Sequence, residues 1–81
     1  MKKEIQQLTE GERRVYKLMA NFHENDEIAE ILHCSRGTVK AHVSSILKKL
    51  CVYSRAEAVI AGLKLGILEL DNIHIRERVV F

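Results

Sequence analysis

The 81-residue chain has no proline and no tryptophan, and its aromatic side chains number two tyrosines and two phenylalanines. So little aromatic material in so short a chain leaves little concavity for a substrate. A Gly-rich phosphate loop, a nucleophile motif and a pair of carboxylates on a plausible cleft are all missing, which argues against an enzyme. The longest apolar stretches run to only four or five residues, too short for a transmembrane helix. The amino terminus, Met1-Lys2-Lys3-Glu4, is followed by polar residues and is not a signal peptide. A cytoplasmic protein with reduced thiols at Cys34 and Cys51 is the expectation. His23, His33, Cys34, Cys51 and His74 include no C-x₂₋₄-C or H-x₃₋₅-H pair, so neither a metal site nor a cofactor is expected.

The most informative absence is local. Residues 1–30 carry five Lys/Arg against seven Asp/Glu, and residues 57–81 carry three against four. Between them, residues 31–56 hold Arg36, Lys40, Lys48, Lys49 and Arg55 with no acid at all. A basic middle between acidic ends indicates one surface that faces a polyanion. The bland alternative is a solvated lysine-rich face, and the complete lack of acids over that span favours DNA.

What is present in this stretch is a pattern of helices; hydrophobic residues make up 47% of the chain, enough for one small folded domain. Ile28, Ala29, Ile31 and Leu32 mark the buried side of a short helix, capped by Asn25 or Asp26. His33-Cys34 interrupts the pattern, with Cys34 read as a small core residue, and Ser35 is a good N-cap that restarts it. Val39, Val43, Ile46 and Leu50 then form one stripe of a 3.6-residue period. The opposite side shows Arg36, Gly37, Lys40, Ala41, Ser44 and Lys48, small or positive throughout. Two such helices joined by a tight turn make a helix-turn-helix, whose second helix lies in a DNA major groove.

Helices flank this pair on both sides. Thr9 and Glu12 form a capping box for a first helix with Val15, Leu18 and Met19 buried, Tyr16 partly buried, and Ile28 and Ile31 as partners. Gly11, in its first turn, is unexplained by sequence. Ser54 and Glu57 form a second capping box, opening a fourth helix that stops at Gly66. Ala58, Val59 and Gly62 allow close approach to the core, while Glu57, Ile60, Ala61 and Lys64 form the other side. Residues 1–7 read as a flexible lead. In the tail, residues 69–81, Asn72 to Val79 alternate with a strand-like period of two. Such a tail is expected to be disordered, or extended and paired with a second copy or another protein.

Leu8-Thr9-x-x-Glu12, Glu27-Ile28-Ala29, Ser35-x-x-Thr38-Val39-Lys40-x-His42, Ile46-Leu47-x-Lys49-Leu50, Ser54-Arg55-x-Glu57-Ala58 and Gly66 together resemble the LuxR/GerE-type DNA-binding domain over about residues 8–68. The resemblance implies an all-α, four-helix fold in a sequence-specific transcriptional regulator of the bacterial cytoplasm and nucleoid. It implies base contacts from Lys40, Ala41 and Ser44, and a homodimer through the fourth helix on double-stranded DNA. Either a stand-alone GerE-like regulator or the output domain of a response regulator fits the length. Chemically, lysine donates to guanine, alanine contacts a thymine methyl and serine serves either base. Ser35, Arg36, Thr38, Lys48 and Lys49 are expected at phosphates, although the Lys49 stem could instead cover the core. Arg55 either joins the phosphate contacts or caps a carbonyl. His42 is expected to be structural, hydrogen-bonded to a neighbouring loop.

Two departures from the family pattern fall at turns. Asn21-Phe22-His23-Glu24-Asn25 replaces a Gly-x-Ser/Thr-Asn connection, and Cys51 stands where a glycine commonly ends the third helix. A left-handed backbone would strain a cysteine, which predicts a different turn there. A reading of another class is a helix-turn-helix that binds protein, as an antagonist or co-regulator, through Ile60 and the tail.

Overall fold

The computed structural model describes residues 8–66 and 68. Four helices follow one another: α1 (Glu10–Ala20), α2 (Asn25–Leu32), α3 (Arg36–Lys49) and α4 (Arg55–Lys64), with no strand among the described residues. Residues 1–7, expected to be a flexible lead, and the tail, residues 69–81, lie outside those residues. α3 is the hub, since α1 and α2 pack chiefly against it and α4 closes one side. Val39, Val43 and Ile46 line the buried stripe of α3, meeting Val15, Tyr16 and Met19 of α1, Ile28 and Ala29 of α2 and Ala58 of α4 in one core. Leu50, at the end of that stripe, is half-buried.

The helix starts follow the capping chemistry. The Thr9 hydroxyl accepts the Glu12 N–H at 3.1 Å while the Glu12 carboxylate accepts the Thr9 N–H at 2.9 Å. Ser35 Oγ accepts the Thr38 N–H at 3.0 Å, and Ser54 Oγ accepts the Glu57 N–H at 3.1 Å. At α2 the cap is one residue earlier than expected: Glu24 is the N-cap and its N–H donates to the Glu27 carboxylate at 2.9 Å.

The helix ends hold the surprise. α1, α2 and α3 each finish in a paired 6→1 and 5→2 bonding pattern, the Schellman arrangement, in which one residue must be left-handed. His23 N–H reaches the Leu18 carbonyl, Cys34 N–H that of Ala29, and Val52 N–H that of Leu47. The left-handed residues are Phe22 (φ 65°), His33 (φ 54°) and Cys51 (φ 57°), and only α4 ends on a glycine, Gly66 (φ 76°). The turn after α3 is therefore kept despite the cysteine. Its hydrogen bonds outweigh a conformational cost of about 1–2 kcal/mol. In the α1–α2 connection Phe22 takes the left-handed position, which leaves its ring 54% exposed.

Two buried-face expectations change. Ile31 is 47% exposed rather than packed on α1. α2 turns Ile28 and Ala29 inward with Leu32 beside them, and at 100° per residue Ile31 falls about 100° from the centre of that face. Tyr16 is fully buried, not partly, and its hydroxyl donates to the Ala58 carbonyl at 2.6 Å. Burial pushes its phenol up to about 12. This contact also explains Gly62. A Cβ there would run into the Tyr16 hydroxyl and come within 2.6 Å of Leu68 Cδ1, so only glycine lets α4 approach. Gly11 has a reason too: a Cβ would stand only 3.2 Å from His42 Nε2, a tight contact where the imidazole meets the first turn of α1.

Candidate nucleic-acid interface

On α3, Arg36, Gly37, Thr38, Lys40, Ala41, Ser44 and Lys48 are all exposed. Lys40, Ser44 and Lys48 recur every four residues along one stripe. No hydrogen bond or ion pair engages Lys40 or Lys48 among the described residues. Ser35 and Thr38 occupy the start of α3, where their hydroxyls bond to one another at 2.9 Å. The three residues expected at bases thus share one exposed face with Lys48 and the helix N-terminus.

The remaining three cations are engaged by the fold. Lys49 is half-buried and its ammonium lies 2.7 Å from Glu12 Oε1. Arg55 spans from α4 to the α1–α2 connection, donating to Asn25 Oδ1 at 2.6 Å and to the His23 carbonyl at 2.7 Å. Arg36 pairs with Asp26 at 3.2 Å, with both side chains exposed. His42 is half-buried against Gly11.

Glu12 is what sequence reasoning missed. It is a buried charged residue, 5% exposed, and ties the first turn of α1 to α3. Oε2 accepts from Ser45 Oγ at 2.5 Å, and Oε1 accepts from Lys49 and from the Thr9 N–H. Burial by itself would raise its pKa, but the Lys49 ammonium, the Ser45 hydroxyl and the Thr9 N–H outweigh it and hold the carboxyl at about 2. The signal was Ser45 and Lys49, four residues apart on the inner flank of an acid-free helix, which need an acceptor from elsewhere. The carboxylate thus pins the inner flank of α3 to the start of α1 at two points four residues apart.

On α4, Ile60 is 52% exposed and Ala61 half-buried, with Glu57 and Lys64 exposed. Sequence reasoning also missed Phe22, whose ring lies beside Ile60. Met19, Phe22, Arg55, Ala56, Val59 and Ile60 line a shallow apolar groove of about 360 Å³. Among the described residues no group of three His, Cys, Asp or Glu is placed to hold a metal, and no helix is long and apolar enough to cross a membrane.

Comparison with known proteins bears on this geometry. The model of the GerE family, described as bacterial regulatory proteins of the luxR family, matches residues 6–61. The spore germination protein GerE of Bacillus subtilis is 41% identical over 63 residues, covering 78% of this chain and 85% of GerE. The transcriptional regulatory protein LnrK of the same organism is 42% identical over 64 residues, but those are only 29% of its length. The response regulator VraR of Staphylococcus aureus is 42% identical over 62 residues, 30% of its length. A solved structure of the transcription factor GerE superposes with a TM-score of 0.72 at 36% identity, over 79% of this chain and 96% of that one.

Proposed function

Because the chain belongs to the luxR family of bacterial regulatory proteins, with the four-helix GerE fold, we propose that it is a transcriptional regulator that reads a specific DNA sequence with α3. Lys40, Ala41 and Ser44 face the bases, and Ser35, Thr38 and Lys48 face phosphates, joined by Arg36 once it meets the duplex. Lys49 and Arg55 contribute charge from positions already bonded within the fold, so their phosphate contacts are secondary. The observation that carries this reading is the stripe of Lys40, Ser44 and Lys48, exposed on a helix whose opposite side is core. No catalytic role is proposed, and the site of action is the bacterial cytoplasm, at the nucleoid.

A single α3 covers few base pairs, so useful affinity needs two half-sites about one helical turn apart. We assign the homodimer contact to α4, through Glu57, Ile60, Ala61 and Lys64 with Phe22 at its edge. The groove is small, which suits a weak dimer that DNA reinforces. The second reading, an antagonist or co-regulator whose helix-turn-helix is covered by another protein, rests on the same exposed Phe22 and Ile60, with the tail as a further contact.

Selection of fragments from genomic DNA, followed by footprinting of the enriched sites, tests the proposal. A common two-fold motif with protection in successive major grooves is the expected result. Enrichment of no motif, together with isolation of a stable complex that masks Lys40 and Ser44, overturns it in favour of the second reading.

A further inference from the structure

One acid stands among the groups that the proposed reading turns toward DNA. Asp26, in the first turn of α2, accepts Arg36 Nη1 at 3.2 Å on Oδ1 and 3.4 Å on Oδ2. Asn25, Asp26, Arg36, Gly37 and Lys40 line one hollow of about 290 Å³ between the starts of α2 and α3. Arg36 and Lys40 are four residues apart and share a face, so the Asp26 carboxylate lies where phosphates would approach.

Stability accounts poorly for that placement. The two side chains are 74% and 68% exposed, and such a pair adds little to a fold. The capping work at α2 is done by Glu24 and Glu27, leaving Asp26 only a modest interaction with the helix dipole. For a surface that simply attracts DNA, a carboxylate here is a defect.

Geometry suggests a use. Asn25, the neighbour of Asp26, is tied to α4 through Arg55, so the backbone carrying the carboxylate is anchored. Asp26 takes both of its contacts from one guanidinium nitrogen, Nη1. The Nε/Nη2 edge of Arg36, a pair of parallel donors, has no partner among the described residues. An arginine held by one edge offers the other in a set direction, and its charge is largely cancelled until that edge finds an acceptor.

Building on the proposed DNA reading, we propose that Asp26 is a specificity-determining residue of this interface. It restrains Arg36 so that the guanidinium engages only an acceptor atom of the duplex that stands in line with its outer edge. At every other site Asp26 subtracts one positive charge from the contact. The residue therefore lowers affinity for random DNA more than for the preferred site.

The test is equilibrium binding of the whole chain to two labelled duplexes of equal length, one recovered by the genomic selection and one scrambled, across a range of KCl. Asp26→Asn is expected to tighten the scrambled duplex roughly fivefold, the scale of one exposed ion pair. It should steepen that duplex's salt dependence by about one unit of log slope and leave the selected duplex within about twofold. The ratio between the two duplexes then falls. In an Arg36→Ala background the same Asp26→Asn change should no longer lower the ratio. A ratio unmoved by Asp26→Asn overturns the proposal, and so does a fall of equal size without Arg36. Equal weakening on both duplexes with a lowered melting temperature would make Asp26 a structural residue and overturns it too. A wild-type protein that prefers neither duplex removes the DNA-reading proposal and this one with it; that failure is visible before any substitution is made.

Discussion

Replacing Glu12 by glutamine should cost the domain a large share of its stability and remove the part of its acid sensitivity that falls between pH 4.5 and 2. The carboxylate is 5% exposed and meets Lys49 at 2.7 Å, Ser45 at 2.5 Å and the Thr9 N–H at 2.9 Å. Its pKa falls from an ordinary 4.5 to about 2. At about 1.4 kcal/mol per pH unit, that gap corresponds to about 3 kcal/mol. Because the folded value lies below the unfolded one, the contribution is complete above pH 4.5 and is lost as pH falls toward 2. In a domain of this size the loss lowers the melting temperature by roughly 15 °C. Urea unfolding of wild type and Glu12→Gln between pH 7 and pH 2 measures it: the curves should lie well apart at neutral pH and converge in acid. Lys49→Met should be as harmful as Glu12→Gln, since it strands a buried carboxylate. Changing both residues to apolar ones should recover much of the loss. Curves that already coincide at pH 7 would refute the claim that this network holds α3 in place.

Cys51→Gly should stabilise the fold by about 1 kcal/mol, because glycine adopts the left-handed conformation without a Cβ penalty; a lower urea midpoint would mean the cysteine makes compensating contacts. Tyr16→Phe removes the hydroxyl's bond to the Ala58 carbonyl and should cost about 0.5–1.5 kcal/mol. With its phenol at about 12 against an ordinary 10, wild type should lose stability as pH rises from 10 to 12, and the phenylalanine variant should lack that loss in alkaline melting curves. Lys40→Ala should abolish sequence preference at a cost of about 1–3 kcal/mol at the selected site. Lys48→Ala should weaken all DNA alike and flatten the salt dependence by about one unit of slope, so equal losses on selected and random duplexes from both variants would contradict the division between them. Ile60→Glu should abolish cooperative filling of paired half-sites, read by sedimentation with and without a duplex, while leaving the helical circular dichroism intact; cooperative loading by the variant would move the interface off α4.

Local information was enough for much of this protein. The capping boxes at Thr9 and Ser54, the N-cap at Ser35 and the stripe Val39, Val43, Ile46 depend on spacings within one or two helical turns. They therefore placed three helix starts and the orientation of α3 from the chain alone. The acid-free span from 31 to 56 pointed to a polyanion for the same reason, since charge composition is a property of sequence. What required tertiary structure were contacts between residues far apart in the chain. Glu12 read as half of a capping box, and only the packing of α1 on α3 turned its other oxygen toward Ser45, 33 residues away. For Lys49 and Arg55 the sequence left a phosphate contact and a structural role both open, and only the fold brought their partners, Glu12, Asn25 and the His23 carbonyl, beside them. Gly62 read as a point of close approach, but the atoms it approaches, those of Tyr16 and Leu68, and the His42 atoms that crowd a Cβ at Gly11, belong to other segments and appear only in the fold. Cys51 shows the limit from the other side. Its intrinsic preference argued against a left-handed turn, and the hydrogen bonds closing α3 overrode it, because a helix end must satisfy its carbonyls whatever residue stands there.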